Sequence, residues 1–236
     1  MALDRAIPFE RWDRFRQILR LRQGQHVLII GTTGSGKTVL LRELLKGRDF
    51  VVVLGTKNND EELYPAFEAV GYDIVAPADF DPEPDRQDSH VIFRPRVTGT
   101  GDSARKKRRE AFETMLDEVF AAGNWTVAAD ELWTLTVLLG LSTNFEEFWS
   151  AGRSEGVTVY GATQEPVYIP RLAFTASTHL FLFQNSDDER IKRIAQLSAG
   201  HSALVREFLP QLPEHEFIYI NTRTRQVLRS KVILGA

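Results

Sequence analysis

The chain contains no cysteine among its 236 residues. Disulfide bonds and thiolate metal sites are therefore excluded, and the composition fits a reducing compartment. Long apolar runs are also missing, because the longest candidate, residues 132–141, is far shorter than the about 20 apolar residues of a membrane helix. The N-terminus is charged from Asp4 onward and shows no secretion signal. We therefore expect a cytoplasmic protein with no direct membrane insertion.

An excess of positive charge is missing as well, since the formal net charge is −3. This balance excludes a generally basic nucleic-acid binder, so any contact with DNA has to come from a local basic patch. A hydrophobic content of 43% and a charged content of 26% are ordinary for a soluble globular chain. The length fits one large domain, or one domain with insertions.

One glycine-rich stretch organises the rest of the chain. It lies between an apolar run at 27–30 and a segment at 39–46 with the apolar spacing of a buried helix. A strand, a glycine loop and a helix in this order predict a phosphate-binding P-loop, which binds ATP through inward-pointing backbone N–H groups. The predicted loop consists of Gly31, Thr32, Thr33, Gly34, Ser35, Gly36, Lys37 and Thr38. Lys37 is expected to reach the β- and γ-phosphates, and the Thr38 hydroxyl to ligate Mg²⁺.

Strand-like apolar runs alternate with helical patterns along most of the remaining sequence. This alternation predicts an α/β fold, a P-loop NTPase with a mostly parallel central sheet flanked by helices and a C-terminal β-hairpin at 216–232. We expect an N-terminal amphipathic helical extension over residues 1–24, with its helix at 8–23, and a P-loop ATPase domain over residues 25–236. The arginines of the extension are either solvated on a packed helix or part of a docking or DNA-facing surface.

An acidic pair, Asp130 and Glu131, follows the apolar strand predicted at 125–129. An aspartate at this place can hold Mg²⁺ through its water shell, and a glutamate beside it can polarise a water for in-line attack on the γ-phosphate. The alternative is an acidic pair on the surface. Downstream of a P-loop, the pair favours hydrolysis of a nucleoside triphosphate.

Two further polar residues are candidates for the same reaction. Gln164 ends the strand predicted at 157–163 and could sense the γ-phosphate or orient the attacking water, or it could be an ordinary residue at a strand end. Arg153 lies in a segment, 152–156, that we predict to be a loop. It could reach the nucleotide of a neighbouring subunit as an arginine finger, or it could pair locally with Glu155.

Five consecutive basic residues form the sharpest charge feature of the sequence. They open the helix predicted from residue 105 onward and are Arg105, Lys106, Lys107, Arg108 and Arg109. A run of this kind is either a solvated helix face or a contact with DNA phosphates. These residues are the DNA-binding candidates of the chain.

The order of these motifs resembles the FtsK–HerA superfamily of P-loop ATPases. The most specific part is the segment Ala162-Thr163-Gln164-Glu165-Pro166, which is preceded by Arg153 and Gly156. Residues 169–171 and the apolar strand at 180–183 also lie where that superfamily has them. The resemblance spans roughly residues 25–235 and implies the ASCE, RecA-like form of the P-loop fold.

The resemblance also implies a role for each matching residue. Lys37 and Thr38 would bind phosphate and Mg²⁺, and Asp130 would support the metal. Glu131 would activate water, Gln164 would be the strand-end sensor, and Arg153 would be donated to the adjacent subunit of a homo-oligomer, a hexameric ring around double-stranded DNA. One segment, 55–57, departs from the family pattern, because Gly55-Thr56-Lys57 stands where Asp-Pro-Lys is common.

The function that follows is an ATP-driven double-stranded DNA translocase, of the kind that packages or transfers the genome of a phage or mobile element. Such a motor works in the host cytoplasm or on the virion, with a capsid, portal or membrane protein as its anchor. A second hypothesis is a P-loop ATPase that powers virion or secretion-apparatus assembly without touching DNA. A third is a small-molecule or nucleotide kinase, which the acidic pair and the downstream glutamine make less suitable.

Overall fold

The computed structural model describes residues 6–83 and 88–233. Within these residues, nine strands form one sheet in the order β3-β4-β2-β5-β6-β1-β7-β8-β9. The strands are β1 (His26–Ile30), β2 (Phe50–Leu54), β3 (Asp73–Val75), β4 (Ser89–Phe93), β5 (Thr126–Ala129), β6 (Thr158–Thr163), β7 (Ser177–Phe183), β8 (Glu216–Asn221) and β9 (Val227–Lys231). Every pair from β3 to β7 is parallel, and β8 and β9 add an antiparallel hairpin. The predicted α/β fold with its C-terminal hairpin is confirmed.

Helices cover both faces of this sheet. They are α1 (Trp12–Ile18), α2 (Lys37–Leu45), α3 (Leu63–Glu68), α4 (Asp102–Ala122), α5 (Ser142–Glu155), α6 (Arg171–Ala176), α7 (Asp188–Gln196) and α8 (Ser202–Phe208), with a π-helical turn at Thr134–Leu138. Helices α1 to α3 contribute to one apolar cluster and α4 to α8 to the other. The central strands are buried on both faces, which explains why they are continuous apolar runs.

The strand order brings distant parts of the chain to one edge of the sheet. Strand β6 lies between β1 and β5 and is parallel to both. Because the carboxyl ends of parallel strands meet on one side, the residues that follow β1, β5 and β6 gather there. We call this side the C-terminal edge and the opposite side, where these strands begin, the N-terminal edge.

The N-terminal segment packs onto the sheet. The backbone of residues 8–10 runs beside β9, where the Glu10 N–H donates to the carbonyl of Arg229 at 2.8 Å and the Arg229 N–H donates to the carbonyl of Pro8 at 2.8 Å. Helix α1 is shorter than the helix predicted at 8–23, because these first residues are extended and the backbone becomes extended again at Leu19, with a ψ of 115°. A domain boundary at residue 24 stays a prediction. Residues 1–5 of the extension, 84–87 and 234–236 lie outside the described residues.

The loop predicted at 152–156 is wrong. Helix α5 continues through Glu155 and ends at Gly156, which has a left-handed φ of 72°. Gly152 is buried inside the helix, where an added Cβ would lie 2.9 Å from the carbonyl oxygen of Val157. Its lack of a side chain therefore serves close packing instead of a chain break. The short helices α6 and α8 were not predicted. None of the helices in the described ranges combines the length and the apolar composition that crossing a lipid bilayer requires.

Candidate functional site

The P-loop connects β1 to α2 at the C-terminal edge. Gly36 precedes the helix with a φ of 102°, a backbone conformation that residues with a Cβ rarely adopt. At Gly31 an added Cβ would lie 2.6 Å from the Ser35 hydroxyl oxygen and 2.7 Å from Cβ of Phe183. The loop therefore closes tightly over its own residues and against β7, which leaves the N-terminus of α2 open towards the edge.

Lys37 and Thr38 begin α2 and point along this edge. The Lys37 Nζ donates to the carbonyl of Thr32 at 2.7 Å, so the ammonium already lies inside the loop. Burial lowers the pKa of Lys37, and the nearby charges of Asp130 and Glu131 oppose this change. The Thr38 hydroxyl donates to the Asp130 carboxylate, at 3.0 Å from Oδ1 and 3.1 Å from Oδ2. The sequence-predicted phosphate and metal residues are thus brought together.

Asp130 follows β5 and faces the P-loop. Burial raises the pKa of Asp130 to about 6, although the Thr38 hydrogen bond and the Lys37 charge lower it. An added cation favours the ionised carboxylate. Oxygen ligands from one hydroxyl and one carboxylate fit Mg²⁺, which takes few protein ligands and completes its shell with water and phosphate oxygens.

Glu131 has a partner that the sequence did not reveal. Its Oε1 lies 2.7 Å from Nζ of Lys57, and its Oε2 accepts from the Thr134 hydroxyl at 3.1 Å. Lys57 also pairs with Asp60 at 3.0 Å. Burial alone would lower the pKa of Lys57, but the hydrogen bonds to Glu131 and Asp60 raise it above its usual range.

This pairing gives a role to the segment that departs from the family pattern. Lys57 follows β2, and β2 is hydrogen-bonded to β5, with Val53 opposite Ala128. The ends of the two strands are therefore adjacent, and Lys57 reaches the residue that follows β5. The adjacency of β2 and β5 is the signal that would have located this contact, but no local sequence pattern contains it.

Gln164 lies at the carboxyl end of β6, between the P-loop and the acidic pair. Its side-chain oxygen Oε1 accepts a hydrogen bond from the Thr33 hydroxyl at 2.6 Å. One residue earlier, the carbonyl of Thr163 accepts from the Gly31 N–H at 3.2 Å. The sensor candidate therefore contacts the phosphate-binding loop directly.

Arg153 lies away from this group, at the N-terminal edge. It is exposed near the end of α5 and packs beside Gly24, where an added Cβ would lie 3.0 Å from Cα of Arg153. The six residues of β6 separate it from Gln164, which corresponds to about 17 Å of extended chain. In the part of the chain that the structure describes, Arg153 has no ion pair, with Glu155 or any other residue. It lies too far away to complete the site of its own subunit.

The basic run lies on the first two turns of α4. Three of its members pair along the helix, Arg105 with Asp102 at 3.9 Å, Lys106 with Glu110 at 3.7 Å and Arg109 with Glu113 at 2.7 Å. Lys107 is exposed, whereas the partly buried Arg108 contacts Asn58 at 3.5 Å. Arg94, which follows β4, was not singled out from the sequence, and its guanidinium lies 5.2 Å from the ring centroid of Tyr64.

A cleft of about 240 Å³ continues from the P-loop on the side of β7. Phe183 and Leu212 give it apolar walls, and Gln184, Glu214 and His215 add polar groups. His215 Nδ1 lies 3.3 Å from the carbonyl oxygen of Ser35, so the cleft borders the loop itself. A flat ring with polar edges fits walls of this kind.

Comparisons with solved structures identify the fold. The genome packaging NTPase B204 from Sulfolobus turreted icosahedral virus 2, in complex with sulfate, superposes with a TM-score of 0.67 at 17% identity over 90% of this chain and 98% of that chain. VirB4 of Thermoanaerobacter pseudethanolicus gives 0.64 at 10% identity over 89% of each chain. The plasmid coupling protein TrwB, with a GTP analogue, gives 0.60 at 12% identity over 96% of this chain and 93% of that chain.

These neighbours share the fold at 10–17% identity, so the fold that the resemblance stated from the sequence implies is confirmed. No family model matches the sequence. No curated protein matches it either. The similarity is therefore carried by the three-dimensional structure and by a few short motifs.

Proposed function

We propose that this chain is an ATP-hydrolysing double-stranded DNA translocase that works as a homo-oligomeric ring, and that it packages or transfers the genome of a virus or mobile element. The observation that carries this proposal is the convergence of Lys37, Thr38, Asp130, Glu131 and Gln164 at one edge of the sheet. Structures similar to it include a viral genome packaging NTPase and a plasmid coupling protein. A cytoplasmic location stays a prediction.

Each residue at the C-terminal edge has a separate role in hydrolysis. Lys37 exchanges the carbonyl of Thr32 for phosphate oxygens, and the P-loop N–H groups hold the β-phosphate. Glu131 accepts the proton of the attacking water, which requires a lone pair on a carboxylate that Lys57 and Thr134 already orient. Gln164 contacts the γ-phosphate and couples this contact to the P-loop through its hydrogen bond with the Thr33 hydroxyl.

The predicted Mg²⁺ would be held by the Thr38 hydroxyl and by Asp130, directly or through water. When bound, the ion supplies positive charge against the β- and γ-phosphates. The close pairing of Thr38 and Asp130 means that the two ligands share one small volume, which fits a single divalent ion. The cleft beside Phe183 and Leu212 is the place for the nucleobase.

The basic region of α4 is the proposed DNA contact. One member of the run, Arg108, lies 3.5 Å from the side-chain oxygen of Asn58, the residue after Lys57, so the run reaches the neighbourhood of the site. The partners of Arg105, Lys106 and Arg109 are exposed or partly exposed carboxylates of the same helix, so these pairs contribute little stability and can be replaced by phosphates. A ring would collect several copies of this surface around one axis, where the net charge of −3 per chain matters little.

The test is steady-state ATP hydrolysis with and without linear double-stranded DNA, on the natural chain and on Glu131→Gln. We expect DNA to accelerate hydrolysis, and Glu131→Gln to lose at least about 100-fold in rate while it still binds nucleotide. Glu207→Gln, which changes an exposed carboxylate of α8 outside the P-loop cleft, is the matched control and should retain activity. Hydrolysis that is indifferent to DNA and to salt would count against a DNA motor.

The assembly ATPase without DNA contact remains the second candidate, and the three ion pairs along α4 favour it because they suit a solvated helix face. Charge reversal separates the two hypotheses. Arg105→Glu with Lys107→Glu should abolish DNA stimulation and leave basal hydrolysis unchanged if α4 binds DNA. If stimulation persists, the basic run is a solvated face and a protein substrate should be sought.

A further inference from the structure

We propose that Arg190 and Arg193 of α7 are positioning residues for Gln164, because they clamp the loop 164–170 that carries it. This inference rests on the proposed function, since it assigns the control of the same site. Its evidence is a set of contacts between α7 and the loop, at two separate points. Helix α7 itself contributes no side chain to the P-loop contacts described above.

The first point of the clamp is Glu165, the residue directly after Gln164. Its Oε1 lies 2.5 Å from Nη2 of Arg190, and both side chains are partly buried, with 29% and 27% exposed. The pair turns the carboxylate towards α7 and neutralises it. A carboxylate beside the sensor would otherwise repel the triphosphate, so the pairing has an electrostatic as well as a mechanical effect.

The second point of the clamp lies at the far end of the loop. Arg193, one helical turn after Arg190, donates from Nη2 to the carbonyl of Ile169 at 3.2 Å. Its guanidinium also lies 5.8 Å from the ring centroid of Phe174, which is buried in α6. Because Arg190 and Arg193 lie on the same helix, the two ends of the loop are fixed relative to each other.

The clamp is itself anchored to the strand beside the P-loop. Asp187 caps α7 by accepting from the Arg190 N–H at 2.8 Å, and the Asp187 N–H donates to the side chain of Asn185 at 3.0 Å. Asn185 follows β7, and β7 pairs with β1. The loop that holds Gln164 is therefore anchored through α7 to β7, which is hydrogen-bonded to β1, the strand that leads into the phosphate-binding loop.

One residue of the clamped loop points outward. The side chain of Tyr168 is 61% exposed, whereas Ile169 next to it is 1% exposed. The loop therefore joins the Thr33–Gln164 contact to a surface aromatic ring through a short segment held at both ends. We expect a shift of Gln164 on contact with the γ-phosphate to be passed along this segment to Tyr168.

The kinetic experiment compares Arg190→Ala with Lys192→Ala, an exposed residue of the same helix, in Mg²⁺-ATP hydrolysis. We expect Arg190→Ala to lower kcat by about 10- to 100-fold with nucleotide affinity changed less than about threefold, since misplacing a reacting group costs rate more than binding. Lys192→Ala should match the natural chain. The exchanged pair Glu165→Arg with Arg190→Glu should recover part of the loss, which a merely stabilising ion pair would not show in kcat.

A second readout needs no hydrolysis. The chain has no cysteine, so Tyr168→Cys provides a single site for a fluorescent label. We expect a non-hydrolysable ATP analogue with Mg²⁺ to change the anisotropy of the label, and Arg190→Lys, which keeps the charge but loses the planar fork, to weaken that change. This variant also serves if Arg190→Ala fails to fold.

The two readouts separate the clamp from the function. If the natural chain hydrolyses no ATP but the label responds to the analogue and depends on Arg190, the proposed function fails and the clamp stands. If hydrolysis is normal in a folded Arg190→Ala or Arg190→Lys protein, and the label is indifferent to either change, the clamp is overturned. A loss of kcat that the exchanged pair does not recover at all also overturns it.

Discussion

A buried histidine at the N-terminal edge makes the fold sensitive to acid. His26 begins β1 with 3% of its surface exposed, and its Nδ1 accepts the Val159 N–H at 3.0 Å. Burial, with a smaller contribution from the Arg223 charge, lowers the pKa of His26 from 6.5 to about 4. His179 on β7 is lowered to about 4 as well, mainly by burial. Both rings therefore stay neutral where the unfolded chain would bind protons.

The sign of the effect on stability follows from these values. Below pH 6.5 His26 is protonated in the unfolded chain, whereas in the folded chain it stays neutral until about pH 4. The free energy of unfolding therefore falls as the pH falls through this window. We expect His26→Asn, which keeps an acceptor for Val159 but does not titrate, to reduce that slope by about 1.4 kcal/mol per pH unit. Urea unfolding measured from pH 7 to pH 4 tests this, and an unchanged slope would contradict it.

Single residues also mark the limit of what the sequence could predict. The P-loop and the acidic pair were predictable because each is a contiguous pattern at the end of an apolar run. Lys57 was not, because its contact with Glu131 depends on which strand lies beside β5. Arg190 was not, because its partner Glu165 is 25 residues away and the two meet only through packing of α7.

At the scale of elements, α1 packs directly against the sheet. Phe15 is fully buried, and its ring lies 5.3 Å from Phe217, 5.3 Å from Tyr219 and 6.2 Å from Phe181, all in edge-to-face geometry. These partners come from β7 and β8, so α1 covers strands on the opposite side of the sheet from β4, the strand that precedes α4. The N-terminal segment therefore contributes to the core of the P-loop domain.

Removing this ring should cost the whole domain stability. We expect Phe15→Ala to lower the free energy of unfolding by about 3–5 kcal/mol, because a large buried ring leaves a cavity. Arg14→Ala, on the exposed side of α1, should change stability little, since the Arg14 side chain that pairs with Glu10 is 73% exposed. Chemical denaturation of the two variants makes the comparison, and equal effects would mean that α1 is a detachable extension.

The elements themselves were mostly predictable, with errors that have physical reasons. The central strands were found because burial on both faces leaves unbroken apolar runs. The end of α5 was missed because Gly152, Ser154 and Gly156 look like a chain break, whereas only Gly156 ends the helix. The order of strands in the sheet was not predicted, since hydrogen bonding between strands joins residues far apart in the chain.

At the scale of the whole molecule, the separation of Arg153 from the P-loop requires a second subunit for the proposed arginine finger. A head-to-tail arrangement that joins the N-terminal edge of one copy to the C-terminal edge of the next closes into a ring if the rotation between copies allows it. The site of one subunit would then be completed by Arg153 of its neighbour. Hydrolysis per subunit should consequently rise with protein concentration.

Mixing two inactive variants tests this arrangement. Arg153→Ala keeps its own P-loop, and Lys37→Ala keeps its arginine, so a mixture should recover activity that neither has alone. We expect each single variant to lose at least about 100-fold in rate. Lys37→Ala mixed with Glu131→Gln is the control, because both changes damage the same half of the site and no complete site can form. Full activity of Arg153→Ala by itself would remove the finger from the mechanism.

The position of β6 has a consequence for timing. This strand touches the phosphate-binding loop of its own subunit at Gln164, and its other end follows directly from the helix that carries Arg153. A strand bonded on both sides is stiff along its length, so a shift at one end is carried to the other. In a ring, the event at one nucleotide would then set when the next subunit receives its arginine. Subunits linked in this way would hydrolyse ATP one after another around the ring. The direction of this order would follow from the direction of the strand.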